Sequence, residues 1–95
     1  MGNYEAMFIV NPNANEEQKK EITAQLNEVI IKNQGEVLNS AIWSEKRKLA
    51  YPIKKFHEGI YYLVQFKSEP RNILKLKQAY TLNESVIRLL IMRSE

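Results

Sequence analysis

The chain contains no cysteine and no aspartate. Without cysteine there are no disulfides, no thiolate zinc sites and no cysteine nucleophile, a composition that suits the cytosol. All eleven acids are glutamate and His57 is the only histidine. No grouping of Glu with His has metal-site spacing, which calls for three or four ligands. The three glycines stand apart at positions 2, 35 and 59, so there is no glycine-rich phosphate loop. No serine has a base beside it in sequence. No apolar run approaches the roughly 18 residues of a membrane span. The opening "MGNYEAMFIV" has no basic lead and no small-residue cleavage site, so it does not read as a signal peptide. The expectation is a protein that is not an enzyme, holds no cofactor or metal and binds no small-molecule substrate.

What is present is basic charge in one place. The 95 residues, 44% hydrophobic and 26% charged, suit a single domain spanning 1–95. Residues 1–34 hold three lysines against five glutamates, a net of −2, whereas 35–95 hold eleven basic residues against six glutamates, a net of +5. Five of the fourteen basic residues fall between 46 and 55, with no acid among them. In "EKRKLAYPIKKFHEG" (45–59), Lys46, Arg47, Lys48, Lys54, Lys55 and His57 surround the apolar run Leu49–Ala50–Tyr51. A local patch of this kind suits either an anionic partner or a solvated basic face.

Periodicity gives the elements. "YEAMFIV" (4–10) alternates as a strand, with Tyr4, Ala6, Phe8 and Val10 on one face and Glu5, Met7 and Ile9 on the other. Asn15 with Gln18 forms a capping-box pattern, Ile22, Leu26, Val29 and Ile30 recur at helical spacing, and Gly35 is a natural stop, so 15–33 reads as a helix. A long strand follows over 36–53, then a hairpin over 54–58 and a strand over 60–66. Pro70 suits the first turn of a second helix that turns Ile73, Leu76 and Tyr80 inward. "SVIRLLIMR" (85–93) is the last strand.

Strand, helix, strand, strand, helix, strand with right-handed crossovers gives an α+β, ferredoxin-like split βαβ fold. It is a four-stranded antiparallel sheet with both helices on one face, and the second and fourth strands are its edges. Phe8, Ile22, Leu26, Val64, Phe66, Leu76 and Leu89 are expected in the core. Pro52 and the lysines fit an edge strand, where they also discourage aggregation. Simple alternation turns Leu49, Tyr51 and Ile53 toward the helices, and Lys46, Lys48, Ala50, Pro52 and Lys54 toward the open face. Met7, Ile9, Tyr61, Leu63, Leu90 and Met92 also fall on that open face. A sheet face left to water is usually more polar, so a covering protein partner is expected there.

Two known users of this fold do not match. An acylphosphatase needs a glycine-rich anion loop with an arginine after the first strand, where this chain has Asn11-Pro12-Asn13. An RNA-recognition motif needs a basic-Gly-aromatic signature on its third strand, and "EGIYYLVQF" is out of step with it.

"YEAMFIVNPN", "RKLAYPIKK" followed by Gly59, and "VIRLLIMR" resemble the bacterial small-subunit ribosomal protein S-six family, in order and over essentially the whole chain. One departure stands out. The family commonly has an aromatic and a glycine immediately before its basic pair, whereas Trp43-Ser44-Glu45 precedes Lys46 here, which implies a bulge or a shifted register. The resemblance implies a cytoplasmic, ribosomal protein. Its implied partners are the central domain of small-subunit rRNA and ribosomal protein S-eighteen. It places the basic pair on Arg47 and Lys48, the aromatic-Pro step on Tyr51 and Pro52, the hairpin lysine on Lys54 or Lys55, and a last-strand basic residue on Arg88. Arg47, Lys48, Tyr51, Lys54, Lys55 and Arg88, with Lys46, His57 and Arg93, make the expected RNA-contact set. Met7, Ile9, Pro52, Tyr61, Leu63, Leu90 and Met92 make the expected protein-partner surface. A non-ribosomal interaction or small-ligand regulatory module of the same fold remains the alternative.

Overall fold

A computed structural model describes residues 1–94. The order is β1 (Gly2–Val10), α1 (Glu16–Lys32), β2 (Glu36–Ile53), β3 (Phe56–Ser68), a 3-10 turn (Pro70–Asn72), α2 (Ile73–Thr81) and β4 (Val86–Arg93). The strands form one antiparallel sheet in the order β2-β3-β1-β4, so β2 and β4 are the edges, as expected. Pro70 opens the 3-10 turn rather than α2 itself.

The core lies between the helices and one sheet face. Tyr4, Ala6, Phe8 and Val10 of β1 join Ile60, Tyr62, Val64 and Phe66 of β3, and Ile22, Leu26, Ile30, Leu76 and Tyr80 close over them from the helices. Leu89 and Ile73 are half-buried against this cluster. Tyr80 meets Phe8 edge to face at 4.8 Å, and its hydroxyl donates to the Leu26 carbonyl at 2.6 Å. Burial, and secondarily Tyr62, pushes that hydroxyl's pKa up, so it stays a neutral donor.

The ends of α1 are held by local chemistry. Asn15 accepts from the Gln18 amide while the Gln18 side chain accepts from the Asn15 amide, a complete capping box. At the other end the left-handed residue is Gln34 (φ 67°), not Gly35. The Gln34 amide donates to Ile31 and the Gly35 amide to Ile30, the Schellman pattern. Glycine is needed at 35 for closeness, because a Cβ there would lie 2.7 Å from Ile30 Cγ2 and 3.0 Å from the Lys67 carbonyl.

The long strand β2 departs from simple alternation. Its pairing with β3 slips between Val37 and Asn39, between Ile42 and Ser44, between Ser44 and Arg47, and again between Lys48 and Ile53. Each extra residue inverts the facing of the strand beyond it, so an odd number leaves the far end inverted. Val37 and Ile42 pack on the helix-side core. Leu49 instead joins Ile9 and Ile87 in a second cluster, flanked by Ile53, Phe56 and Tyr61. The expectation that Leu49, Tyr51 and Ile53 face the helices is therefore corrected. Arg47, Leu49 and Tyr51 lie on the open-face side, and Lys48 and Ala50 alternate away from it. Lys46 sits inside the bulge.

The connection to β3 is also tighter than the sequence suggested. Lys54 and Lys55 alone form the loop, both with positive φ (49° and 71°), and β3 begins at Phe56 rather than at residue 60. The far ends of β2 and β3 form an arm that crosses the open face. Leu49 reaches Ile9 of β1 and Ile87 of β4, and Tyr51 reaches Arg88 of β4, the opposite edge of the sheet. Gly59 lets the arm close down, since any Cβ there would collide with the Ile9 side chain.

Truncating the fully buried Leu26 to alanine is expected to cost about 2–5 kcal/mol of stability in urea unfolding. Lys48→Ala, an exposed change, should stay within about 0.5 kcal/mol.

Candidate functional site

The basic residues of the arm are solvent-exposed and uncompensated. Among the described residues, none of Lys46, Arg47, Lys48, Lys54 and Lys55 forms an ion pair. Lys48 stands opposite Glu58 in the β2–β3 register, yet the two do not pair. The nearest acid in sequence, Glu45, is occupied elsewhere: it binds Lys19 of α1, which also holds Glu16 at 2.9 Å. Glu45 first, and then Glu16, raise the Lys19 pKa above its ordinary range. The carboxylate that would oppose an anion beside Arg47 is thus turned to the helix side of the edge.

Two arginines of the open face are held by aromatic residues, one by ring faces and one by a phenol hydroxyl. The Arg47 guanidinium lies 4.8 Å from the Trp43 ring centre and 5.5 Å from that of Tyr61. Trp43 and Tyr61 themselves meet edge to face at 6.0 Å. Arg88 Nη1 donates to the Tyr51 hydroxyl at 3.1 Å. Neither arrangement has a carboxylate, so both guanidinium charges stay available while their positions are restricted. Between the two lies a shallow hollow of about 170 Å³ lined by Met7, Ile9, Tyr61, Arg88 and Leu90.

The expected contact residues divide accordingly. Arg47, Tyr51 and Arg88 come together on the open face. Lys54 sits at the tip of the arm, beside Thr81, Val86 and Arg88, with Lys55 next to it. Lys46 and Lys48 border the edge strand. His57 lies on β3, exposed, rather than in the turn. Arg93 is not part of this group. It pairs with Tyr4 at the other end of the sheet, its guanidinium 5.7 Å from that ring.

The expected partner surface divides too. Met7, Leu63 and Tyr61 are half-buried on the open face, and Leu90 and Met92 are exposed there. Ile9 is only 8% exposed because Leu49 of the same chain covers it. Pro52 is exposed on the arm. The sequence reading named Trp43 only as a break in a pattern and did not find Lys19–Glu45. The departure at Trp43-Ser44-Glu45 was the available signal for both.

The fold is that of a small α+β protein with an aromatic-supported basic arm beside an apolar sheet strip. Residues 3–93 match the family described as Ribosomal protein S6. A protein named small ribosomal subunit protein bS6 from Caldanaerobacter subterraneus subsp. tengcongensis is 39% identical over 95 residues, covering 100% of this chain and 99% of that one. A protein of the same name from Helicobacter pylori is 41% identical over 100% of this chain and 66% of its own length. The crystal structure of 30S ribosomal protein S6 from Thermotoga maritima superposes with a TM-score of 0.89 at 31% identity, covering 98% of this chain and 87% of that one. The chain belongs to the ribosomal protein S6 family of the small ribosomal subunit, a structural family and not an enzymatic one. Membership in this family replaces the alternative of a non-ribosomal regulatory module.

The two-residue loop carries a testable conflict. Its positive φ values favour Asn-Gly, and non-glycine residues held there are strained. Replacing Lys54-Lys55 by Asn-Gly is expected to stabilise the protein by about 1 kcal/mol in thermal or urea unfolding. It should weaken polyanion binding at the same time. Lost stability instead would mean that Lys54 and Lys55 serve the fold.

Proposed function

We propose that the chain binds the central domain of small-subunit rRNA together with ribosomal protein S-eighteen. The observation that carries this reading is one of position. The uncompensated cations of the β2–β3 arm border an open strip of Met7, Leu63, Leu90 and Met92 that the arm does not cover. The cations suit RNA phosphates, and the strip suits a protein. Arg47, Lys48, Lys54 and Lys55 make the principal phosphate contacts, with Lys46, Tyr51, His57 and Arg88 around them. Arg93, at the far end of the sheet, contributes only if the RNA extends there.

A formal charge of +3 neutralises few phosphates, so the chain alone binds RNA weakly at physiological salt. A partner seated on the strip adds its own contacts. The coupling is reciprocal, so RNA tightens the protein pair by the factor by which the pair tightens RNA.

Filter binding of a central-domain rRNA fragment, with and without the partner, tests this. If about four of the arm's cations each meet a phosphate, log affinity should fall with log salt at a slope near −3 to −4. Lys55→Ala should reduce that slope by about 1 without changing sequence preference. Salt-independent binding, or full affinity without the partner, would contradict the proposal.

A further inference from the structure

We infer that Trp43, with Arg47 laid on it, is a stacking platform for an unpaired base of the bound RNA, so that the arm reads single-stranded structure as well as charge. The inference rests on the RNA-binding proposal and assigns a residue which that proposal leaves unused.

Trp43 lies outside both apolar clusters of the fold. The register slip between Ile42 and Ser44 places the chain's only tryptophan in a bulge of the edge strand, 57% exposed. A large ring left in water forgoes the burial that ordinarily justifies it. What it touches is a guanidinium at 4.8 Å and the edge of Tyr61. Tyr61 props both groups from the neighbouring strand, with Arg47 5.5 Å from its ring. Arg47 has no carboxylate among the described residues, so nothing but the rings holds it.

Charge and shape together select the occupant. A flat apolar face beside an unneutralised cation matches a nucleobase joined to its phosphate: the base stacks on the indole and the guanidinium meets the backbone. A basic protein segment would suit the indole but be repelled by Arg47 and its lysine neighbours. A paired helix presents no free base face. The platform stands on β2, and of the strip only Leu63 lies on the adjoining strand β3, whereas Met7, Leu90 and Met92 stand on β1 and β4, which leaves them to a protein partner.

The lone tryptophan supplies the readout. The full chain is titrated with a short RNA hairpin carrying an unpaired internal loop and with its fully paired counterpart, with and without the protein partner. Trp43 emission should be quenched by the looped RNA and much less by the paired one. Trp43→Leu should weaken looped-RNA binding by about 5- to 150-fold while lowering the salt slope by less than about 1, because Arg47 keeps the Tyr61 ring and its charge. Trp43→Phe should restore part of the affinity. 2-Aminopurine placed in the loop reports stacking independently, and its quenching should disappear in Trp43→Leu, whose folding is checked by circular dichroism. Equal binding of looped and paired RNA by wild type and Trp43→Leu alike would overturn the platform while leaving the binding proposal intact. A Trp43 emission change produced by the protein partner without RNA would assign this face to protein instead. Failure of the wild-type chain to bind either RNA, even with the partner present, would overturn both.

Discussion

Strand β2 holds more residues than β3 can oppose, and where the surplus is absorbed decides which way the basic residues point. Side chains on a strand alternate with a period of two, so each extra residue inverts everything beyond it. The slips at Val37/Asn39, Ile42/Ser44 and Ser44/Arg47 together deliver Arg47 and Leu49 to the open face, and the irregular stretch from Lys48 to Ile53 carries Tyr51 on to Arg88. Without that inversion Leu49 would have no Ile9 and Ile87 to cover, and Tyr51 would not reach Arg88. The arm's path, the aromatic support of Arg47 and the division of the open face all depend on it.

The helix layer contributes to the same outcome from the other side. Lys19 is only 14% exposed at its side chain, held between Glu16 of its own helix and Glu45 of the bulge. A tie from α1 to the irregular part of β2 costs the arm no cation, since it uses the one acid next to the basic run. Four register irregularities, Pro52 and the three cations Lys46, Arg47 and Lys48 also make β2 a poor template for another strand. Any partner must therefore approach by the sheet's face or by the other edge, β4.

Much of this was legible in the sequence because periodicity, caps and turn residues agreed with one another. The capping box at Asn15 and Gln18, the inward positions Ile22, Leu26 and Tyr80, and the edge placement of Pro52 all come from local chemistry. Alternation also put Met7, Leu63, Leu90 and Met92 on one face correctly, since the β1–β3 pairing has no slips and β1–β4 slips only beyond Ile9. The facing of β2 was not legible, because a bulge leaves no composition signal beyond an interrupted pattern, and several of them must be counted to know the final sign. The hairpin was misjudged for a related reason. Two lysines do not look like a tight turn, as nothing in their intrinsic preference selects positive φ. Trp43 and Glu45 marked the irregularity, but their partners, Arg47 and Tyr61 for one and Lys19 for the other, are brought near only by the folded sheet.

The arm's coverage of Ile9 has a consequence for the protein before it meets anything else. A sheet face left wholly bare would expose a contiguous apolar patch, the kind of surface that drives self-association. Here the chain shields one end of the face with its own Leu49 and Tyr51 and leaves only the strip from Met7 to Met92 uncovered. The apolar surface left open is thereby reduced, which lowers the free chain's tendency to self-associate.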